Sequence, residues 1–306
     1  PTGSMTAAGV FSLVLVQDLL DKSSRTRTKS IRETAIENGR LWLDERFTAE
    51  PCPGLGRCAK FPQYWLYSLE RVALATGWRT LAGRDWLRDA LSTTLGRLCR
   101  RDTHGQWHVS GGKSVSQLRQ RCFALMLLHR GLAPLACAQL TLSGQTIKYK
   151  SAALLVDRLR RTLEHETCWQ QISMSDSVDV WLESPMVLIQ GSREPPFVRN
   201  RRREITAAVR GEAAPPDIEE VQRFSEYLNR GGLFVAVASS SGFGRAMQQI
   251  GSLAAPHATW RRLTRKDPVL SLLDSPRTLP RVDALSAGGR DLMLLVSGRP
   301  DGVLPN

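Results

Sequence analysis

From Ser4 to Arg130 the apolar positions recur every three or four residues, the period of helices that bury one face. Ser4 to Leu20 carries small and aliphatic residues at that spacing, and Thr34 to Phe47 places Ile36, Leu41, Leu43 and Phe47 on one stripe. Pro51-Cys52-Pro53-Gly54-Leu55-Gly56 stops the second helix. Pro62 opens another over Gln63 to Thr76, closed by Gly77, and Gly83 and Asp85 introduce one from Trp86 to Leu98. The turn Arg101-Asp102-Thr103-His104-Gly105-Gln106-Trp107 precedes a helix from Ser116 to Arg130 that ends at Gly131. Long Pro/Gly loops alternating with Trp-marked turns predict a double layer of repeated helices, with a four-helix bundle as the competing arrangement.

The pattern then changes. Ala133 to Lys150 reads as a transition interrupted by Pro134 and Gly144, and Ala152 to Cys168 as a basic helix or two short ones. Pro185 to Gly191 is a short apolar run stopped by glycine, as expected of a buried parallel strand. Leu233 to Ala238 and Asp291 to Val296 read as two further strands, with helices at Ile218 to Asn229 and Phe243 to Leu253. Strand, helix, strand, helix, strand predicts a small, mostly parallel α/β layer. The expected division is a helical domain over 1–170 and an α/β domain over 171–306, the latter carrying a basic insertion at 198–214. Ser192 to Pro216 reads as a mobile surface loop or a short extra helix.

Composition narrows the class. The chain has 306 residues, 42% apolar and 23% charged, which predicts a folded globular protein rather than a disordered one. No apolar run approaches the roughly 20 residues needed to cross a bilayer. Before any apolar segment there is no basic stretch of the kind a signal peptide carries. The formal charge of +13 is concentrated in arginines, as at Arg25, Arg27 and Arg32, at Arg100 and Arg101, and from Arg199 to Arg203. That surface would attract polyanions at low salt, although no aromatic residues interleave with the basic ones as single-strand binders require.

Few residues are candidates for chemistry. Cys52 and Cys58 could bridge or hold part of a metal site, but no second close pair accompanies them. Cys99, Cys122 and Cys137 read as small buried hydrophobes. Glu70 and Arg71, beside Tyr64, Trp65 and Tyr67, read as a buried ion pair ordering a helix interface. Asp85 is a second carboxylate near that aromatic helix, and His104, His108 and His129 match no metal spacing. Ser239-Ser240-Ser241-Gly242 follows a strand and leads into a helix, so one serine is either a nucleophile or a helix cap. For a nucleophile there, His257 could be the base and Asp267 or Asp283 the orienter. No catalytic, cofactor-binding or metal-binding residue is assigned on these grounds, and no cofactor is expected. Gly242-Phe243-Gly244 lacks the third glycine of a dinucleotide loop.

The Arg101 to Trp107 turn resembles the Gln/Trp repeat of the α/α toroids of terpene cyclases and prenyltransferases, with Arg101 where Gln is usual. More closely, Ser4 to Gly9, Tyr64 to Val72, Gly83 to Trp86 and Cys122 to Leu125 resemble a bacterial family of uncharacterised toroid proteins. Pro185 to Phe197, Phe224 to Ala238, Asp267 to Val269 and Gly288 to Asp301 are similar to the domain of unknown function that follows such toroids. That domain is related in fold to class I glutamine amidotransferases. The resemblance implies a partial toroid, with earlier repeats outside this chain, followed by an amidotransferase-like sheet. It also implies enzyme folds without their usual chemistry, since the cyclase aspartates, the prenyltransferase zinc ligands and the amidotransferase cysteine are missing.

The expected function is a non-catalytic binding or scaffold protein, holding a protein or a hydrophobic small ligand in the toroid groove. The alternatives are a hydrolase or transferase working in an inter-domain cleft, and a polyanion binder acting through the arginine-rich loop.

Overall fold

In this computed structural model, residues 2–20, 26–50, 52–54, 62–101, 103–104, 107–109, 114–142, 149–267 and 281–297 are described. The chain divides into two units, Pro1–Pro134 and Leu135–Asn306. The boundary expected at 170 therefore moves to 134, because residues 135–170 supply two strands and a helix to the α/β unit.

Among the described residues the first unit is built on five helices, α1 (Gly3–Leu20), α2 (Thr26–Arg46), α3 (Pro62–Thr76), α4 (Trp86–Leu98) and α5 (Val115–Gly131). Its core gathers Val10 and Val14 of α1, Ile36 and Leu43 of α2, Trp65 and Leu69 of α3, and Trp86 and Ala90 of α4. Trp65 is wholly buried, and its indole donates to the Thr48 carbonyl at 2.9 Å, so the polar edge of the ring is satisfied where its faces are dry. The Trp86 indole does the same with the Trp78 carbonyl at 2.6 Å. Between α3 and α4 lies a small hairpin of β1 (Thr80–Leu81) and β2 (Arg84–Asp85). Asp85 caps α4 by accepting from the backbone amides of Leu87 and Arg88, both at 3.0 Å, and it pairs with Arg79 at 2.8 Å.

The Trp107 turn belongs to a second hairpin. Strand β3 (Cys99–Arg101) runs antiparallel to β4 (Trp107–Val109), with Arg101 opposite Trp107. The sequence led to a plain turn between helices; a chain that returns on itself within these residues pairs its backbone groups instead of leaving them to solvent.

The second unit is, among the described residues, a seven-stranded sheet in the order β6-β5-β7-β8-β11-β10-β9. Its strands are β5 (Leu135–Thr141), β6 (Cys168–Ser173), β7 (Val187–Gly191), β8 (Phe234–Ala238), β9 (Thr259–Arg262), β10 (Arg281–Ala287) and β11 (Arg290–Ser297). The strands from β6 to β11 in that order are parallel, and β10 and β9 complete one edge antiparallel. Helix α6 (Tyr149–Leu163) packs on one face with Cys137, Trp169, Leu188 and Val237. The other face carries α7 (Val178–Leu182), α8 (Pro196–Asn200), α9 (Arg202–Val209), α10 (Glu219–Asn229) and α11 (Ser241–Ala254). Alternate residues of each strand serve the two faces, as the pleat requires. Ile189, Ala236 and Met293 meet the helices of the larger core.

One expectation changes here. The transition after Ala133 is strand β5, hydrogen-bonded to both β6 and β7. Of the two readings of the basic insertion at 198–214, mobile loop or short extra helix, the helical one holds over most of its length. The insertion forms α8 and α9, pinned by Val198 and Ile205, both wholly buried. Gly231-Gly232 closes α10 as expected. Gly231 takes φ 104°, and a side chain at Gly232 would come within 2.2 Å of the Tyr227 ring.

Candidate functional sites

In the helical unit the group that stands out is α5. Ser114 opens it with a reciprocal capping box to Gln117, so its start is fixed locally. Its inward side is narrow. Ala124, Leu127 and Gly131 are buried, and Phe123 packs its ring against Tyr64 and Tyr67 at 5.4 and 5.2 Å. The outward side is apolar as well. Val115, Leu118, Leu125 and Leu132 are 71, 59, 68 and 65% exposed, and Cys122 is exposed among them. Positions 115, 118, 122, 125, 129 and 132 alternate steps of three and four, the seam spacing of a helix that docks along another. Only His129 interrupts it. The helix carries Arg119, Arg121 and Arg130 and no carboxylate.

The carboxylates proposed for this unit are otherwise engaged. Asp85 is the cap described above. Glu70 is fully buried and neither carboxylate oxygen has a hydrogen-bond partner. Arg71 does not bond it; its guanidinium lies 4.5 Å over the Phe11 ring and donates to the Tyr67 hydroxyl at 3.2 Å. The expected Glu70–Arg71 pair is thus replaced by a charge-capable group held in an apolar place. Burial raises the Glu70 carboxyl to about 7, against the partial relief offered by Arg130 and Arg71. Of the expected buried cysteines in helices, Cys122 is exposed and Cys99 lies in β3. The Cys52 thiol sits 3.4 Å from the Ser4 hydroxyl, while Cys58 lies outside the described residues.

In the α/β unit the candidate site is the carboxyl edge of the parallel strands, where such sheets bind ligands. Strand β8 ends in Ala238, and the Ser239 amide donates to the Gly191 carbonyl at the end of β7 at 2.9 Å. The Ser240 hydroxyl accepts from the Phe243 amide at 3.1 Å, so it is the cap of α11. A Cβ at Gly244 would lie 3.4 Å from that of Ala238, so the helix rests closely on the strand end. Beside this turn is a hollow of about 520 Å³ whose walls include Ser239, Ser241, Arg245, Gln248, Arg281 and Asp283. Asp283 is held by Arg281 at 2.8 Å and Arg262 at 3.6 Å.

The serine-histidine-aspartate constellation does not assemble. Asp283 joins the serines, but His257 follows the far end of α11, and 14 residues of helix span about 21 Å. Asp267 instead accepts from the Thr264 amide at 2.7 Å and pairs with Arg261. Those bonds lower its carboxyl below the ordinary range, the Thr264 amide first. The Cys137 thiol is pushed up to about 12, chiefly by burial and then by Cys168, which makes it a poor nucleophile. Among the described residues no three metal-ligating side chains come together.

The arginine cluster is partly spent on the fold. Arg202 bonds Glu194, and Arg201 donates to the Asp217 carbonyl at 2.9 Å. A second hollow, about 420 Å³, lies on the other side of the α11 start, with Glu194, Arg202, Thr206, Arg210, Arg245 and Gln249 among its walls. Among the described residues no helix is long and apolar enough to cross a membrane. No family model matches the chain, and no curated protein is significantly similar to it.

Proposed function

We propose that this chain is a non-catalytic binding or scaffold protein whose helical unit takes a partner helix along the outer face of α5. The observation that carries it is the seam from Val115 to Leu132 with large side chains open to water. Covering each of these residues is worth about 1–2 kcal/mol. Together they suffice for a complex of about micromolar strength once the entropy of association is subtracted. Because α5 carries arginines and no acid, the fitting partner is an amphipathic helix with acidic flanks. The toroid-type arrangement of α1 to α5 and the amidotransferase-type identity of the sheet form part of this same proposal; the mostly parallel strand order supports the second. In favour of binding over hydrolysis are the use of Ser240 as a cap and the distance to His257.

A labelled peptide with leucines at three-four spacing and flanking glutamates, titrated against the intact chain, tests the reading by fluorescence anisotropy. The expected result is saturable binding that Leu118→Asp together with Leu125→Asp weakens at least tenfold. A peptide bound equally by the variant, or not bound at all, overturns it. So does a wild-type dimer that the same pair of substitutions dissociates, since the seam would then serve self-association.

A further inference from the structure

The α/β unit holds a feature that the α5 reading does not use. The two hollows flank the first turns of α11 and share one side chain, Arg245. At about 100° per residue, Ser241 and Gln248 lie within about 20° of each other on the helix. Gly242 and Gln249 form an equivalent pair about 100° further round, and Arg245 falls midway. Ser241 and Gln248 wall the larger hollow, while Gly242 and Gln249 wall the smaller.

The charges are divided in the same way. Arg281 belongs to the first hollow, Arg202 and Arg210 to the second, and Arg245 to both. Each hollow has one carboxylate, and each is already taken: Asp283 by Arg281 and Arg262, Glu194 by Arg202. Arg245 makes no hydrogen bond or ion pair among the described residues, and Arg210 has only a 3.9 Å contact with Glu212. An uncommitted guanidinium between two cavities of small-molecule size offers a donor edge to an anion on each side.

We infer that the carboxyl edge of the sheet is a binding site for a small molecule with two phosphate-like groups, one in each hollow, straddling Arg245. The helix ridge between the hollows keeps the two groups well apart, so the class is a phosphorylated compound with a spacer rather than a diphosphate. Ser239, Ser241 and Gln248 offer hydrogen bonds to the group on the Arg281 side. Thr206 and Gln249, bonded to each other at 3.1 Å, form the floor on the Arg210 side.

Calorimetric titration of the intact chain with fructose 1,6-bisphosphate, fructose 6-phosphate, pyrophosphate and inorganic phosphate tests this. The bisphosphate is expected to bind at least tenfold more tightly than the other three. Arg245→Gln removes that advantage, and Arg210→Gln lowers the bisphosphate to the level of the monophosphate, about tenfold for a lost charge-assisted bond. Both arginines are exposed, so an unchanged melting temperature of each variant excludes misfolding as the cause. Leu118→Asp with Leu125→Asp leaves all four titrations unchanged, which separates this site from the α5 face. Equal affinities for mono- and bisphosphate overturn the inference, as does binding indifferent to Arg245→Gln. Preference for a long oligonucleotide over every small probe, with a steep salt dependence, also overturns it in favour of a polyanion surface.

Discussion

The helical unit and the α/β unit use similar apolar residues to different ends. In the α/β unit, Trp181 touches Phe224, Tyr227 and Phe234 edge-on or tilted at 6.0–6.3 Å, and its indole donates to the Ser173 carbonyl at 3.2 Å. That aromatic cluster is enclosed, and among the described residues the unit leaves few large apolar side chains open, Leu163 and Val209, beside an otherwise polar and cationic surface. In the helical unit α5 turns leucines outward while a carboxylate, Glu70, is enclosed without a partner. A unit that exposes apolar side chains and buries an ionisable one has kept surface for contact at the expense of its own stability.

The sharpest way to break this contrast is to compare deletions. Trp181→Ala is expected to destabilise the α/β unit by about 3–5 kcal/mol, read by urea unfolding, because it opens a cavity in a closed aromatic cluster. A cost near zero would mean that core is not closed.

Next in size is the pH dependence of the helical unit. Glu70 rises from 4.5 to about 7 on folding, so between those values the unfolded chain has released a proton that the folded chain retains. The contribution of Glu70 to stability is therefore greatest below pH 4.5, falls as pH rises toward 7, and is level above it, by about 3 kcal/mol at most. Glu70→Gln should flatten this slope in denaturation curves taken across that range. An unchanged slope would place the proton elsewhere.

A smaller effect belongs to the cap. Ser240→Ala should cost about 1 kcal/mol in thermal unfolding, with Ser240→Asp close to wild type, since either oxygen can accept from the Phe243 amide. A loss of several kcal/mol, or none, would contradict the capping role. Smallest of all, Leu125→Asp should change the stability of the isolated chain by no more than about 0.5 kcal/mol, because the residue is 68% exposed. A cost of 2 kcal/mol or more, on the scale set for buried leucines, would show that α5 is covered within the chain itself.

Much of this architecture was legible in the sequence. Pro62 and Gly77 mark the two ends of α3, Asp85 the start of α4, Gly231 the end of α10 and Ser240 the start of α11, and short apolar runs mark β7, β8 and β11. Strand β5 was hidden because a strand buried on both faces shows no alternation, and Ala136, Ala138 and Gln139 lack the bulk of a typical one. Strand β10 was hidden by Asp283, a charge in a buried run that only Arg262 and Arg281, from other positions, make tolerable. Pro195-Pro196 left a loop and a short helix both open, and proline in the first turn begins α8. The open face of α5 could not be read at all, since its apolar residues occupy both sides and sequence does not say which side is covered. The two hollows were equally illegible: Arg210, Arg245 and Arg281 are far apart in the chain, and only the fold sets Arg245 in one hollow with Arg281 and in the other with Arg210.

The measurement that bears most directly on the central claim is hydrogen–deuterium exchange of the intact chain with and without the acidic helical peptide. The account predicts that amides 118–130 of α5 exchange far faster than those of α11 in the chain alone and slow by at least tenfold with the peptide present, while α11 is unchanged. Protection of α5 already equal to that of α11, or protection gained at α11 and not at α5, would contradict it.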